Sequence, residues 1–523
     1  MVPVSSLAGG SQPSVVVGLT PLRPADVVAV ARGGARVELT GEAVAAMSAS
    51  RHHVETLATR SEPVYGVSTG FGALANRHIP AELRASLQRS LIRSHAASAG
   101  DDVEREVVRA LMVLRLRTLA TGRTGIHPQT ARTLAALINA GITPVVREYG
   151  SLGCSGDLAP LAHVALALMG EGEVNDAEGV RRSAADALDS AGIRPVELAA
   201  KEGLALINGT DGMLGMLILA CHDLTELLQV ADLSAAMSVE ALLGTDRVFA
   251  ADLQQLRRQP GQQSAAANLR RLLADSPIVE SHRGPNCTLV QDAYSLRCAP
   301  QVAGAARDTV AHALSVAVNE LGSIIDNPTV LPDGRVESNG NFHGAPVGYV
   351  LDFLAIATAD VASISERRTD RMLDVHRSHG LPAFLAHDPG VDSGHMIAHY
   401  TQAAIVSELK RLAVPASVDS IPTSAMQEDH VSMGWSAGRK LRTAIDGLRL
   451  VLAVEVLTAA RALDLRAPLL PSPATGAVVT ALRRNVPTVG PDRWLAPEID
   501  ATVAAVANRT LLTAAESVTG PLA

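Results

Sequence analysis

Aromatic residues and lysine are scarce in this chain of 523 residues. Phenylalanine, tryptophan and tyrosine make up only 2% of the sequence, so a core must be built mainly from alanine, valine, leucine and isoleucine. Lysine occurs only at Lys201, Lys410 and Lys440. Schiff-base chemistry therefore has few places to start, and only Lys201 lies in a glycine-rich motif.

Signatures of nucleic-acid or membrane binding are also lacking. The formal net charge is −8 and no basic run is present, which argues against an anionic polymer as partner. No uninterrupted apolar run reaches membrane-spanning length, and segment 1–18 lacks the charged start of a signal peptide. The four cysteines show no C-x-x-C spacing and suit a reducing compartment. We expect a cytoplasmic protein without a nucleic-acid or membrane partner.

Long helical patterns dominate the sequence, and alternating strand patterns are rare. Apolar residues recur at helical spacing over segments 101–122, 301–325, 349–373, 395–413 and about 436–464. Several helices of this length favour a mainly α fold. We predict a long antiparallel helical bundle over residues 211–523 and a smaller N-terminal domain over residues 1–210.

The loop GSLGCSGDLAPLAH, residues 150–163, is the most unusual stretch of the sequence. Its small residues stand directly before a helical pattern that Ser155 or Asp157 could cap. A nucleophile elbow, Gly-x-Ser-x-Gly, fails because Asp157 occupies the last position. A reactive thiolate of Cys154 at a helix N-terminus stays open, and with it a cysteine-dependent hydrolase.

Two other motifs carry weaker signals. The segment Gly70–Ala75 fits a dinucleotide fingerprint, but no βαβ pattern surrounds it. Its glycines are better explained as letting the backbone approach a ligand beside Tyr65. His395 and His399 are spaced as zinc ligands often are, yet no third ligand accompanies them. We therefore predict no metal site.

Polar and aromatic residues also stand out in or beside the segments that separate the helices. Singly, each has an ordinary structural explanation. Together, in a chain with so few aromatic residues, they indicate a polar site, although their spacing does not name a reaction. They are Tyr65, His95, Asn208, Tyr294, Arg297, Phe342 and Glu428.

The loop at 150–163 resembles the signature of the aromatic amino acid ammonia-lyases, and more closely that of the members acting on histidine. The resemblance runs in the same order through YGVSTGFG, LQRSLIRSHAAS, KEGLALINGT, VQDAYSLRC, NGNFHGAPV and PTSAMQEDHVSMG. It covers nearly the whole chain from about Leu19. It implies a homotetramer in which several subunits furnish each site.

The resemblance also implies a built-in cofactor. In that family an Ala-Ser-Gly tripeptide cyclises to a methylidene-imidazolone (MIO), and the matching residues here are Cys154, Ser155 and Gly156. The Gly156 amide nitrogen would attack the Cys154 carbonyl carbon, and Ser155 would lose its hydroxyl as water. This attack requires a tight backbone turn that a Cβ would obstruct, which favours glycine at position 156. No metal or external cofactor is implied.

Family resemblance assigns roles to the remaining site residues. Tyr65 would remove the substrate β-proton, Arg297 would clamp the carboxylate as a bidentate partner, and Glu428 would act at the substrate ring. The sequence departs from the usual family pattern at Ser68, Cys154, Asp211 and Met426. The positions expected to surround the substrate are His95, Asn208, Gln291, Tyr294, Phe342 and Met396.

The resemblance leaves the substrate open among histidine, tyrosine and phenylalanine, and it includes aminomutases. Glu428 favours histidine, since a carboxylate can accept a hydrogen bond from an imidazole N–H. Against a phenyl ring the same carboxylate would be left unpaired, at a substantial energetic cost. We therefore expect L-histidine as substrate, with trans-urocanate and ammonia as products.

Overall fold

The structure is a computed structural model that describes residues 14–59, 63–284, 287 and 290–523. The sequence-based prediction for the N-terminal segment falls largely on residues 1–13, which lie outside the described residues. The described part is mainly α-helical, so the predicted fold class is confirmed. The long segments identified by periodicity correspond to the helices labelled α4, α14, α15, α16 and α17 below.

The α-helices are α1 (Pro24–Ala31), α2 (Gly41–Ala58), α3 (Arg84–His95), α4 (Arg105–Ala120), α5 (Pro128–Asn139), α6 (Leu158–Leu168), α7 (Ala184–Ser190), α8 (Glu202–Ile207), α9 (Asp211–Ala241), α10 (Ala251–Gln255), α11 (Pro260–Leu272), α12 (Pro277–Ser281), α13 (Tyr294–Arg297), α14 (Ala299–Gly322), α15 (Ala345–Leu373), α16 (Met396–Leu412), α17 (Gly434–Asp464), α18 (Pro473–Leu482), α19 (Ala496–Ala507) and α20 (Thr510–Thr519).

The strands are short and form small sheets. Strands β1 and β2 pair in parallel, whereas β3 with β5, β4 with β6, β6 with β7, and β8 with β9 pair antiparallel. The strands are β1 (Ser14–Val17), β2 (Arg36–Leu39), β3 (Ala99–Asp102), β4 (Thr143–Pro144), β5 (Arg147–Tyr149), β6 (Glu173–Asn175), β7 (Arg181–Ser183), β8 (Thr329–Val330) and β9 (Val336–Glu337).

Local sequence signals explain where several helices begin. The Thr40 hydroxyl accepts a hydrogen bond from the Ala43 backbone N–H at 3.1 Å, which caps α2. Ser472 caps α18 in the same way through the Thr475 N–H. Pro473 then occupies the first helical position of α18, where the missing N–H of proline costs nothing.

The chain divides into two compact units. The first comprises Met1–Leu219, Leu314–Leu351 and Ala416–Arg439, and the second comprises Ala220–Ala313, Asp352–Pro415 and Lys440–Ala523. Each unit gathers segments that are distant in sequence, because packing does not follow chain order. The predicted domain boundary after residue 210 stays a prediction.

In the part of the chain that the structure describes, two helices, α9 and α15, are long and apolar enough to cross a membrane by length and composition alone. The most apolar windows of α9 and α15 are, however, 78% and 56% buried inside the protein. Helix α9 also carries buried carboxylates that pair with arginines: Asp223 with Arg442 and Asp232 with Arg307. Buried paired charges of this kind are typical of a core helix.

Candidate active site

A cavity of about 1030 Å³ lies in the first unit. It opens between the glycine-rich segment after residue 65, helix α3 and the loop that precedes α6. Five of the residues predicted for the site line this one cavity, although they come from widely separated parts of the chain. They are Tyr65, His95, Ser155, Asn208 and Glu428.

The loop from β5 to α6 is held from more than one side. Gly153 has a φ of +67°, and its carbonyl accepts hydrogen bonds from the Ser432 hydroxyl at 2.6 Å and the Gly344 N–H at 3.0 Å. The Leu152 carbonyl accepts from the Met433 N–H at 2.8 Å. Segments near residues 344 and 432 therefore fix the backbone directly before the Cys154–Gly156 tripeptide.

Gly156 packs against another glycine with no room for a side chain. It forms an isolated parallel bridge with Gly209, and its φ is +76°. A Cβ added at Gly156 would lie 2.1 Å from the carbonyl oxygen of Gly209. Both the backbone conformation and the close approach therefore require glycine here.

We expect Gly156→Ala to lower the free energy of unfolding by about 2–5 kcal/mol, since a left-handed backbone costs roughly 1–2 kcal/mol and overpacking roughly 1–3 kcal/mol. Gly179→Ala is the matched control, because Gly179 has a φ of +83° but open space around its ideal Cβ. Denaturant unfolding of both variants measures the difference. Equal losses in the two variants would show that the contact with Gly209 is unimportant.

The prediction that the Asp157 side chain caps α6 is wrong. Asp157 occupies the N-cap position of α6, yet its side chain makes no capping hydrogen bond there. Instead, its carboxylate accepts from the N–H groups of Gly212 at 2.8 Å and Met213 at 2.9 Å, at the start of α9. The Ser151 hydroxyl donates to it as well. Burial raises the pKa of Asp157 to about 7 despite these hydrogen bonds.

Ser155 does not cap α6 either, because its hydroxyl turns to Glu428. The Ser155 Oγ donates to Glu428 Oε1 at 2.9 Å, and the Thr423 hydroxyl donates to Oε2 at 3.0 Å. The Cys154 thiol lies 3.4 Å from Oε2. The carboxylate of Glu428 is thus fixed against the tripeptide at the wall of the cavity.

The environment of Cys154 disfavours a thiolate. Burial, together with the negative charge of Glu428, raises the pKa of the Cys154 thiol to about 12. Reactive cysteines need the opposite shift, toward an ionised sulfur at neutral pH. This environment therefore argues against the cysteine-dependent hydrolase that the sequence left open.

Tyr65 and the glycine-rich segment that follows it share one side of the cavity. The Gly72 N–H donates to the Tyr65 hydroxyl oxygen at 3.3 Å. Residues Gly72–Leu74 form a short 3₁₀ turn, in place of the strand-to-helix turn of a dinucleotide site. Gly70, Gly72 and Leu74 all line the cavity, so this segment places backbone next to whatever the cavity binds.

Asn208 and His95 add polar groups to the lining. The Asn208 Nδ2 donates to the Asn327 carbonyl at 2.8 Å. Its Oδ1 is buried and has no hydrogen-bond partner among the described residues, so it can accept a hydrogen bond from a ligand. Burial lowers the pKa of His95, and Glu428 only partly opposes this shift, so its imidazole is neutral near pH 7.

Sequence reasoning missed the charged pair behind Asn208. Arg115 is buried, pairs with Asp211, and donates to the Asn208 carbonyl at 3.0 Å. The unusual aspartate at 211 was the only signal in the sequence. Gly209 and Thr423 were also missed, because nothing in their local sequence indicates their contacts with Gly156 and Glu428.

The residues predicted to bind the substrate at positions 291, 294, 297, 342 and 396 do not line this cavity. Phe342 belongs to the first unit, is half-buried, and precedes Gly344, which binds the loop. Gln291, Tyr294, Arg297 and Met396 belong to the second unit. There, Tyr294 is 71% exposed, and the Arg297 guanidinium lies 4.6 Å from the centroid of its ring.

The two helix-spaced histidines of the second unit have separate partners. His395 is buried with its Nδ1 3.2 Å from the Thr458 hydroxyl oxygen. His399 lies 2.6 Å from a carboxylate oxygen of Glu366. Each imidazole therefore has a structural contact of its own.

Comparison with known proteins gives a consistent result. A family model described as aromatic amino acid lyase matches residues 22–484. A histidine ammonia-lyase from Streptomyces avermitilis is 65% identical over 98% of this chain and 100% of the relative. A tyrosine aminomutase structure from Streptomyces globisporus has a TM-score of 0.92 at 37% identity, covering 98% of this chain and 100% of that one. A histidine ammonia-lyase structure from Trypanosoma cruzi has a TM-score of 0.88 at 36% identity, covering 97% and 95%.

Proposed function

Because the chain belongs to the aromatic amino acid lyase family, we propose that it catalyses elimination of ammonia from L-histidine to give trans-urocanate. The observation that carries this proposal is the meeting of Tyr65, Ser155 and Glu428 at one cavity. The relative that is 65% identical is named a histidine ammonia-lyase. The activity is that of a carbon–nitrogen lyase.

The tripeptide Cys154–Gly156 fits the formation of MIO. Gly156 has a left-handed backbone and no space for a Cβ, and the preceding residues are clamped by long-range hydrogen bonds. Cys154, Ser155 and Gly156 would provide the ring, with Glu428 and Asn208 beside it. The group would supply an electrophile that turns the substrate amine into a better leaving group.

The residues around the tripeptide can bind the substrate and move its proton. Tyr65 would remove the β-proton, and the Gly72 N–H that donates to its hydroxyl oxygen would hold that oxygen in place. Glu428 would accept a hydrogen bond from the imidazole N–H of histidine. Asn208 Oδ1, which lacks a partner among the described residues, would accept from the substrate amine. Arg297 would bind the carboxylate.

The proposed assembly is a homotetramer in the cytoplasm. Tyr294 and Arg297 lie in a different unit from the cavity residues, and Tyr294 is largely exposed. A site completed by another subunit would give such an exposed tyrosine a function. All four cysteines are free thiols, which suits a reducing compartment.

The substrate is tested by assaying the purified protein with histidine, tyrosine and phenylalanine separately. We expect the highest kcat/KM with histidine, and ammonia release distinguishes elimination from an aminomutase reaction. Glu428→Gln should lower kcat/KM for histidine by about 10–100-fold, the value of a lost charged hydrogen bond. Asp429→Asn, at the exposed neighbouring carboxylate, should change it little. More efficient turnover of tyrosine or phenylalanine would refute the substrate but leave the lyase activity standing.

A further inference from the structure

Helix α13 is a single helical turn that carries both Tyr294 and Arg297. A helix of four residues cannot maintain its own conformation, since nucleating a helical turn is unfavourable. The guanidinium of Arg297 nevertheless lies over the Tyr294 ring in a defined arrangement. Contacts outside α13 must therefore hold this turn in place.

A buried arginine of the second unit supplies such a contact. Arg368 of α15 is 2% exposed and binds both carboxylate oxygens of Glu455 on α17 through its Nε and Nη2. Its remaining Nη1 donates to the backbone carbonyl of Ser295, within α13, at 3.3 Å. One planar guanidinium thus joins α15, α17 and α13.

The partner carboxylate is itself fixed by hydroxyl groups from two helices. Glu455 is fully buried and accepts from Ser234 at 2.8 Å, Ser238 at 2.7 Å and Ser365 at 2.6 Å. With the two bonds from Arg368, every acceptor direction of the carboxylate is occupied. A fully satisfied network of this kind defines one geometry, so the direction of the Arg368 Nη1 is fixed too.

We propose that Arg368 and Glu455 are positioning residues that orient α13 so that Arg297 meets the substrate carboxylate. The inference rests on the proposed function, in which Arg297 is the carboxylate partner. A buried ion pair contributes little to stability compared with a well-packed apolar pair. Holding the Ser295 carbonyl gives this pair a role beyond stability.

Arg368→Lys tests the proposal, because lysine keeps the positive charge but has no planar fork of donors. It can pair with Glu455 without reaching the Ser295 carbonyl. We expect the KM for L-histidine to rise about tenfold, equivalent to about 1.4 kcal/mol, with kcat changed less than about twofold. The inhibition constant of histamine, which lacks the carboxylate, should stay unchanged.

Two further variants separate positioning from general loss of structure. Glu455→Gln should raise the KM in the same carboxylate-selective way if Arg368→Lys does not fold. Glu240→Gln is the matched control, since Glu240, on α9, is a buried carboxylate like Glu455. It accepts its hydrogen bonds from Ser276, Ser472 and Thr475, which lie outside α13. It should leave both constants unchanged.

The proposal is overturned if folded Arg368→Lys keeps the original KM, or if the KM and the histamine constant rise together. The mass of the peptide containing residues 154–156 should be identical in Arg368→Lys and in the protein without substitutions, because the tripeptide lies in the first unit. Failure of the proposed function would be distinguishable, since the protein without substitutions would then form no urocanate.

Discussion

Ser155→Ala is expected to abolish urocanate formation, lowering kcat by about 10³-fold or more, as the loss of an essential covalent group does. In the proposed maturation, Ser155 would supply the side-chain carbon and the hydroxyl that leaves, and alanine has no hydroxyl to lose. In the protein without substitutions, the peptide containing residues 154–156 should weigh two waters less than its sequence mass. Mass spectrometry of both proteins and the product absorbance measure the two effects.

Cys154→Ala is the control that distinguishes this chemistry from hydrolysis by a cysteine. The Cys154 side chain would be a substituent on the ring and would take no part in its formation. Its thiol, with a pKa raised to about 12 by burial, is a poor nucleophile. We therefore expect nearly full activity in Cys154→Ala and the same missing mass. An inactive Cys154→Ala beside an active Ser155→Ala would reverse the assignment.

Tyr65→Phe is expected to lower kcat by about 10²–10⁴-fold, the usual contribution of a general base. Phenylalanine preserves the aromatic ring at the cavity wall but removes the oxygen that receives the Gly72 N–H hydrogen bond. Substrate binding should change much less, because in the proposed mechanism the tyrosine hydroxyl acts in proton transfer. Steady-state kinetics with L-histidine measure kcat and KM separately.

Tyr149→Phe provides the matched control for the loss of a tyrosine hydroxyl. Tyr149 belongs to the same unit but is 69% exposed, and we expect it to retain kcat. The tripeptide mass of Tyr65→Phe should still be lower by two waters, which shows that maturation is intact. A Tyr65→Phe protein with kcat within about threefold of the original would exclude Tyr65 as the base.

Local sequence accounts for much of the helical structure. The periodic segments correspond to α4, α14, α15, α16 and α17. They can be predicted because the helical spacing of apolar residues is a local property of the sequence, independent of distant contacts. The same holds for caps such as Thr40 and Ser472, whose partners lie three residues away. The loop that carries the predicted tripeptide could also be singled out from sequence, because its residues are contiguous.

Tertiary structure alone decided which groups meet at the cavity. Asp157 stands at the start of α6, yet its hydrogen bonds cap α9. Glu428 reaches Ser155 from 273 residues away, and Gly156 needs glycine because Gly209 lies against it. Periodicity and capping act within a few residues, whereas these contacts depend on how distant segments pack. The sequence therefore determined the helices and the contiguous tripeptide predicted to form MIO, and packing determined the partners that give each of those residues its environment.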